Sequence, residues 1–380
     1  MAMAGVDRIA LAHDYATQRG GAERVALMMA QAFPGAPMYT SLYDPAGTFA
    51  EFGSLDVRTC GIDRLAVLRR HHRLALPVLA PAVSATRIDA RVLLASSTGW
   101  AHGFRVTGRK VVYCHAPARW LYQTDRYLGR PGEQSRSSEA RRWLAARALG
   151  VLGRPLRSWD RRAALSADRY VVNSTVTARA VQQVYGIDAE ILPPPPALLP
   201  GGPTAAVPGI EPGFLLCVAR LLPYKNVDVI IEAVRRIPGA RLVVVGDGPD
   251  RARLTELAGS EPRIRLLGRV GDPELSWLYE NCVALVAASY EDYGLSPLEA
   301  AAFERPSVVL RDGGYLDTVV DGVTGEFFDA PEPEPVAVAL ERGLTRGWNR
   351  GDLSAHALAF GAPRFVARLQ EIVEEELHQL

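Results

Sequence analysis

The chain has 380 residues, 48% of them hydrophobic and 22% charged, with a formal net charge of +1 at neutral pH. That is room for two ordinary domains with large cores, and it is the composition of neither a disordered nor a fibrous chain. No apolar run nears the ~18 residues that a membrane span requires, and no nucleic-acid partner is expected from so balanced a charge.

In chain order, the start MAMAGVDRIALAHDY carries Asp7 and Arg8 before its apolar run. It predicts a first strand over 8–15 and does not have the order of a secretory signal. The cysteines, Cys60, Cys114, Cys217 and Cys282, form no CxxC pair, so neither a zinc site nor a disulfide framework is suggested, and a cytoplasmic setting follows. The first strand runs into Thr17-Gln18-Arg19-Gly20-Gly21-Ala22-Glu23, with a helical pattern near 22–33. Adjacent glycines before a helix let backbone amides approach a phosphate, and the helix dipole favours the anion. An ordinary strand-to-helix turn uses the same residues.

Further strands are predicted at 37–43, 90–97, 109–117, 169–174 and 189–192, with helical patterns near 64–76, 138–167 and 175–185. His115 closes the strand VVYCHAP, with Arg119 and Trp120 behind it. A histidine at a strand end either faces a ligand or is a satisfied structural group. Residues 126–162 carry ten arginines against Glu133, Glu139 and Asp160, and Arg64, Arg69, Arg70, His71, His72 and Arg73 form a second basic cluster. Residues 1–195 hold 26 Lys and Arg against 15 Asp and Glu, and the remainder holds 17 against 27. Such a split suggests halves with different partners. The basic half reads as solvated helix faces, or as a side that meets an anionic acceptor or the inner face of a membrane. Of 43 basic residues only Lys110 and Lys225 are lysines. A Lys persists in such a chain where a compact ammonium suits better than a planar fork.

The Pro/Gly-rich stretch around 193–213 has no periodicity and reads as a linker. It divides an N-terminal domain (1–195) from a C-terminal one (213–360), with 196–212 between them. Residues 361–380 predict a last helix that can pack back on the first domain, which the sequence leaves open. The second domain repeats the rhythm, with strands at 213–221, 240–248, 263–270, 283–289 and 306–310. Continuous Val/Leu/Ile strands alternating with helices predict an α/β protein of two doubly wound parallel-sheet domains, facing each other across a cleft.

Arg220 ends one of these strands, and Lys225 stands just before the helix 226–236. Two cations at the carboxyl end of a strand can clamp a diphosphate and neutralise the charge that develops on it. GDGPD at 246–250 lacks the third glycine of a dinucleotide fingerprint, since Arg251 stands there, and no P-loop occurs. Glu291 follows the apolar run 283–288, where open α/β sheets bind ligands. Glu299 has two readings: a ligand carboxylate, or the reciprocal partner of Ser296 in a capping box with Pro297 in the first turn.

Taken together, GGAE at 20–23, YCHAPARWLY at 113–122, the Arg220/Lys225 pair, VVVGDGPD at 243–250, LGRV at 267–270 and SYEDYGLSPLEA at 289–300 resemble glycosyltransferase family 4. The likeness runs from about residue 8 to about 330. It implies the GT-B architecture and transfer of a hexose from a nucleotide-diphosphate sugar, with retention of configuration and without a metal ion or other cofactor. By the same resemblance Glu291 meets donor-sugar hydroxyls and Glu299 the ribose. Arg220 and Lys225 bind the diphosphate. The amides of Asp292, Tyr293, Gly294, Leu295 and Ser296 line the sugar and diphosphate, and Gly268, Arg269 and Val270 lie near the base. Gly20, Gly21 and His115 meet the donor from the first domain. The block around His115 resembles bacterial mannosyltransferases, which puts GDP-mannose first and a UDP-sugar second, with a glycan, lipid-linked or small-molecule acceptor. Tyr293 stands where Phe is commoner, Glu304 where Gly is usual, and Ala116 and Ala118 where Thr and Met are more frequent. Other readings stay open: a nucleotide-sugar epimerase, a phosphorylase, or a non-catalytic nucleotide-sugar-binding scaffold.

Overall fold

The computed structural model describes residues 7–70, 75–122 and 152–380. The chain divides into two units, Met1–Pro194 with Pro363–Leu380, and Pro195–Ala362.

The first unit contains β1 (Asp7–His13), β2 (Met38–Thr40), β3 (Val57–Thr59), β4 (Arg87–Ile88), β5 (Ala90–Ser97), β6 (Arg105–Val106), β7 (Arg109–Cys114), β8 (Arg169–Val172) and β9 (Glu190–Ile191). Seven of them form one sheet in the order β3-β2-β1-β5-β7-β8-β9, with every neighbouring pair parallel. Strands β4 and β6 make a small ladder of their own. A parallel sheet is covered on both faces, so its strands are apolar throughout. In β5, ARVLLASS, only Arg91 is exposed. One face is packed by Val25 and Met29 of the helix Gly21–Ala32 and by Phe365, Leu369 and Ile372 of the last helix, Ala362–Leu377. Val83, Ala164, Val181 and Tyr185 pack the other, from the helices Leu76–Ala85, 152–164 and Thr175–Tyr185.

The last helix is held on the first unit by charge as well as by apolar contact. Glu374 pairs with Arg8 at 2.7 Å, Glu375 with Arg169, and Glu376 with Arg109, while Arg368 meets Glu190 at 2.7 Å. Phe365 meets Tyr113 edge-on, with 5.7 Å between ring centroids. The opposite charges of the two halves, which suggested separate partners, are therefore partly answered within the chain.

The second unit contains β10 (Phe214–Val218), β11 (Leu242–Val245), β12 (Ile264–Gly268), β13 (Cys282–Ala287), β14 (Ser307–Leu310) and β15 (Gly325–Phe328). They form a parallel sheet in the order β12-β11-β10-β13-β14-β15. In both sheets the chain builds outward from the first strand to one edge, then returns and builds to the other. The order reverses between β1 and β5 in one sheet and between β10 and β13 in the other. Loops diverge at such a point and leave a crevice beyond the carboxyl ends of the strands. The stretch 196–212 has neither helix nor strand, yet it is not a free tether. Leu198, Val207 and Ile210 pack on the second unit's core, and the Ala205 N–H donates to the Pro273 carbonyl at 3.0 Å.

The helix Leu295–Ala302 ends in Phe303 and then Glu304, whose φ of 59° lies in the left-handed region. The Glu304 N–H reaches the Ala301 carbonyl and the Arg305 N–H that of Ala300, an ending that favours glycine. The glycine usual at this position thus has a backbone reason, and the exposed Glu304 side chain is a departure with a cost. A Cβ in that region costs ~1–2 kcal/mol, against ~0.4–1 kcal/mol of extra unfolded-chain entropy that a Gly brings. Glu304→Gly is expected to stabilise the second unit by ~0.5–1 kcal/mol. A lowered urea midpoint in this variant would refute the assignment of strain.

Candidate functional site

In the second unit, β10 delivers the loop that carries Arg220 and Lys225. This loop rests on the Gly-Asp-Gly turn after β11. The Ala219 N–H donates to the Val245 carbonyl at 3.0 Å, the Leu221 N–H to that of Asp247 at 3.1 Å, and the Asp250 N–H back to that of Leu221 at 3.1 Å. Gly246 has φ 129°, and a Cβ there would stand 1.9 Å from the Ala219 carbonyl oxygen, so only Gly permits the approach. GDGPD is thus a buttress for the cation loop. Asn226, at φ 51°, precedes the helix Val227–Arg236, and its side-chain amide donates to the Ala288 carbonyl at 2.8 Å. That bond ties the end of β10 to the end of β13 across the reversal point.

Lys225 and Glu291 meet there. The Lys225 Nζ donates to Glu291 Oε1, with only 12% and 21% of the two side chains accessible. The Ser289 hydroxyl donates to the same oxygen at 2.5 Å and lies 3.2 Å from the buried Tyr315 hydroxyl. The Gly314 N–H donates to the Glu291 carbonyl at 2.7 Å. Gly313 has φ 65°, and a Cβ on it would come within 2.4 Å of that carbonyl oxygen. Two groups expected on different parts of a donor are therefore paired directly. Arg220 is exposed and, among the described residues, makes no side-chain hydrogen bond or ion pair.

Glu299 is buried, and its Oε2 accepts the Tyr279 hydroxyl at 2.8 Å. Burial and that carboxylate push the Tyr279 phenol well above its ordinary range, which keeps it a donor. Its ring stacks on Phe303 with centroids 5.5 Å apart. The capping-box reading is overturned. The helix starts at Leu295 with Gly294 as its N-cap, so Ser296 is inside it and Glu299 falls in the second turn. Asp292 and Gly294 are buried, while Tyr293, Leu295 and Ser296 are half-buried. Gly268 ends β12 at φ 77° beside the Arg251 guanidinium, Arg269 is exposed, and Val270 is half-buried.

In the first unit the reversal point is lined by histidines. His13 and Ser96 are register partners on β1 and β5, and His115 follows β7. Ser96 Oγ is 3.1 Å from His13 Nδ1 and 2.8 Å from His115 Nε2. His13 Nε2 is 3.8 Å from Glu23 Oε1, both side chains being 2% accessible. Gly20 precedes the helix in extended conformation, and a Cβ on it would lie 2.7 Å from Glu23 Oε2. The turn at Gly20 and Gly21, expected to meet a phosphate, is thus crowded by a carboxylate of its own helix. On the opposite face of the sheet Ser97, His102 and Asp160 follow one another in the order of a hydrolase triad. Ser97 Oγ stands 3.3 Å from His102 Nδ1, and His102 Nε2 is 3.1 Å from Asp160 Oδ1. All three are at most 1% accessible, so no substrate carbonyl reaches Ser97.

The reading of the sequence missed Ser289, Tyr315, Asn226 and Tyr279, which orient the proposed ligand groups, and His13, Ser96 and Glu23 beside His115. The pair Gly313-Gly314 was the signal available for the loop under Glu291. His71, His72, Arg73, the side chain of Trp120 and the arginine-rich residues 123–151 lie outside the described residues. Among the described residues, no group of three or more His, Cys, Asp or Glu is placed to hold a metal, and no helix is long and apolar enough to cross a membrane.

Residues 207–357, nearly all of the second unit, match the family of glycosyl transferases group 1. A D-inositol 3-phosphate glycosyltransferase of Mycolicibacterium paratuberculosis is 30% identical over 205 residues, a match covering 47% of this chain and 45% of that protein. The enzyme of the same description from Mycobacterium tuberculosis strain F11 is 29% identical over 220 residues, covering 52% and 46%. The chain thus spans about half the length of the curated relatives it matches. Sucrose-phosphate synthase from Thermosynechococcus elongatus superposes with a TM-score of 0.70 at 17% identity, covering 98% of this chain and 100% of that one. HepE of Anabaena, solved with UDP and glucose, gives 0.67 at 18%, covering 97% and 99%. The chain has the GT-B fold, with two Rossmann-like units of parallel sheet.

Burial, followed by neighbouring His13 and Arg119, pulls the His115 imidazole from 6.5 down to about 3. The folded chain therefore refuses a proton that the unfolded chain accepts. Stability from the neutral ring is full above 6.5 and is lost as the pH falls toward about 3. His13 works in the opposite sense. Burial depresses it, but Glu23 and then Asp14 raise it further, so its contribution is full below 6.5 and is lost as the pH rises through the raised value. His115→Gln is expected to flatten the acid side of a plot of urea midpoint against pH. An acid limb as steep as that of the unaltered chain would contradict the assignment.

Proposed function

We propose that the chain is a glycosyltransferase that moves a hexose from a nucleotide-diphosphate sugar to an acceptor hydroxyl, with retention of configuration. The observation that carries this reading is the Lys225–Glu291 pair at the reversal point of a unit matching the group 1 family. In the free chain the ammonium and the carboxylate hold each other. With donor present, Lys225 turns to the diphosphate together with the exposed Arg220, and Glu291 accepts sugar hydroxyls in place of the ammonium. Glu299, which accepts the Tyr279 hydroxyl, is assigned to the ribose hydroxyls. The backbone of 292–296 is assigned to the diphosphate and sugar, and Gly268, Arg269 and Val270 to the base. His115 of the first unit is assigned to the transferred sugar, with Gly20 and Gly21 nearby.

Two cations at the leaving diphosphate supply the electrostatic stabilisation that a metal would otherwise give. We therefore propose metal-independent transfer, in which the acceptor hydroxyl attacks the face from which the diphosphate departs and passes its proton to a donor phosphate oxygen. The residues around His115 favour GDP-mannose, and the likeness to HepE, a protein solved with UDP and glucose, favours a UDP-sugar. An inositol phosphate is the acceptor suggested by the relatives' description, and a glycan or lipid-linked hydroxyl is the alternative. Ligands stabilise in proportion to affinity and concentration, so thermal shifts with UDP, GDP, TDP and ADP and their sugars select the base.

Lys225 and Glu291 are largely buried, and removing one of a buried pair leaves an uncompensated charge at a cost of ~3–5 kcal/mol. Loss of activity in one variant would therefore mix chemistry with stability. Lys225→Met and Glu291→Gln are each expected to lower the urea midpoint, and the double variant to recover much of the loss. Transfer is expected to fall at least ~100-fold in all three, as for loss of a charge that faces the leaving group, and EDTA is expected to leave the unaltered enzyme's rate unchanged. Near-normal transfer in the double variant, or donor turnover that needs no acceptor, would overturn the reading.

A further inference from the structure

His13 ends β1, Ser96 is the last residue but one of β5, and His115 directly follows β7, on one face of the first sheet where these strands are neighbours. The alternation of side chains puts them with Leu11, Leu94 and Tyr113, the face covered by the helix Gly21–Ala32. Ser96 is fully buried, and His13 and His115 are 2% and 8% accessible. Its hydroxyl lies within hydrogen-bond reach of one nitrogen from each ring, at 3.1 Å and 2.8 Å. A hydroxyl has one proton to give. If it donates to His13 Nδ1, His115 Nε2 must carry a proton and donate to it. If it donates to His115 Nε2, His13 Nδ1 must be the donor.

We propose that Ser96 couples the protonation of His13 to the tautomer of His115, so that a proton taken up at His115 Nδ1 comes to rest as charge on His13 beside Glu23. The movement balances. His115 Nδ1 gains a proton, Nε2 passes its own to Ser96 Oγ, and the proton that Ser96 carried moves to His13 Nδ1. His115 ends neutral with its proton on Nδ1. His13 ends as an imidazolium whose Nε2–H faces Glu23. One net charge is gained, and the only new bond outside the chain of three is to the entering proton.

The surroundings favour that resting place. His13 faces the Glu23 carboxylate from the helix Gly21–Ala32 and is followed by Asp14, just past β1. His115 faces His13 and Arg119, both of which oppose a second positive charge. Tyr113 meets the His115 ring edge-on at 5.2 Å, but its hydroxyl is committed to the Leu192 carbonyl at 2.8 Å. Thr40, the register partner of His13 on β2, is uncharged and donates to the Leu42 carbonyl. His115 Nδ1 has no hydrogen-bond partner among the described residues, so it is the end of the relay at which a proton can arrive.

Ser96, His13 and Glu23 are positioning residues in this scheme. Its use in transfer rests on the proposed role of His115, but the coupling can be read without donor or acceptor. In the intact chain labelled with 15N-histidine, long-range proton–nitrogen spectra show which nitrogen of each ring is protonated, with signals assigned by His115→Gln. In the unaltered chain, His115 is expected to carry its proton on Nε2 at high pH and on Nδ1 at low pH, the exchange following the titration of His13 with the same midpoint. Glu23→Gln is expected to move both midpoints down together. Ser96→Ala is expected to leave His13 titrating while the His115 tautomer no longer follows, and Ser96→Thr, which keeps a hydroxyl, to restore the coupling. A His115 tautomer that is constant with pH in the unaltered chain would overturn the proposal, as would one that still follows His13 in Ser96→Ala. If no donor is turned over while the tautomer exchange is present, the transferase reading fails and the relay stands. If transfer proceeds without the exchange, the relay fails alone.

Discussion

A largely enclosed ammonium and carboxylate, Lys225 and Glu291, are in contact where the second sheet reverses its strand order. Neither is cheap to remove from water, and their attraction repays the desolvation only because the geometry and the extra hydrogen bonds are good. Much of the local structure serves that contact. Asn226 accepts a left-handed backbone to reach across to β13, Ser289 adds a second donor to Oε1, and the Gly313-Gly314 turn comes up under the Glu291 backbone. The Gly-Asp-Gly turn beyond β11 does the same for the loop of Lys225. An arrangement of this kind holds two opposite charges close to one another, and each can exchange its partner for a ligand group that fills the same role, an anion for the carboxylate and a hydrogen-bond donor for the ammonium. A diphosphate can replace the carboxylate for Lys225, and sugar hydroxyls can replace the ammonium for Glu291. On the proposed reading, the ion pair holds the place of the donor.

The first unit solves a comparable problem with histidines. The alternation of side chains along β5 sends Ser96 and Ser97 to opposite faces, and each hydroxyl meets a histidine. Ser97 joins His102, Asp14 and Asp160 in a network in which Asp14 accepts the N–H groups of Thr98, Trp100 and Ala101, and Asp160 Oδ2 accepts the hydroxyls of Tyr122 and Tyr185, while His102 Nε2 and Asp160 Oδ1 are left without a hydrogen bond. The bonds to Asp14 fix the turn after β5. Ser96 joins His13 and His115, where His13 Nε2 and Glu23 Oε2 are left without a hydrogen bond. Both networks leave buried polar atoms without a hydrogen bond, but the first is fixed by three backbone N–H groups on Asp14, while the second joins its two rings through a single hydroxyl.

The sequence was most legible where one physical signal was strong. Unbroken Val/Leu/Ile runs marked the interior strands β1, β5, β7, β10, β11, β13 and β14, because parallel strands are buried on both faces. The edge strands β3 and β15 were missed. β3 reads VRT, with no buried residue, and β15 reads GEFF, so neither carries a run of Val, Leu and Ile. Glu291 stood out because an acid at a strand's carboxyl end has few structural uses. The partner of Lys225 was not legible, since 66 residues separate it from Glu291 and only the strand order brings them together. The setting of Glu299 was not legible. The pattern Ser-Pro-Leu-Glu fits a capping box, but the N-cap lies two residues earlier, at Gly294, and the carboxylate is buried against Tyr279. His13 escaped notice because nothing in IALAHDY distinguishes a histidine that faces a second strand's serine from one that is merely enclosed.

The use of lysine follows from the same physics. In a chain with 41 arginines, both lysines are enclosed. Lys110 Nζ donates to the His102 carbonyl and to Ser166 Oγ, each at 2.9 Å, and burial pulls its ammonium down to about 8. Lys225 meets Glu291 with its Nζ 5.1 Å above the Tyr224 ring. A guanidinium carries a wide planar fork of N–H donors, all of which need acceptors once water is excluded. Two acceptors around Lys110, or one carboxylate oxygen beside Lys225, would leave most of that fork unsatisfied in a buried place. A compact ammonium leaves fewer donors unsatisfied, and near a ligand it can swing on a flexible stem from a carboxylate to a phosphate. The arginines that face solvent or the last helix have no such limit, and there the wider fork gains the bidentate pairs that hold Ala362–Leu377 on the first unit.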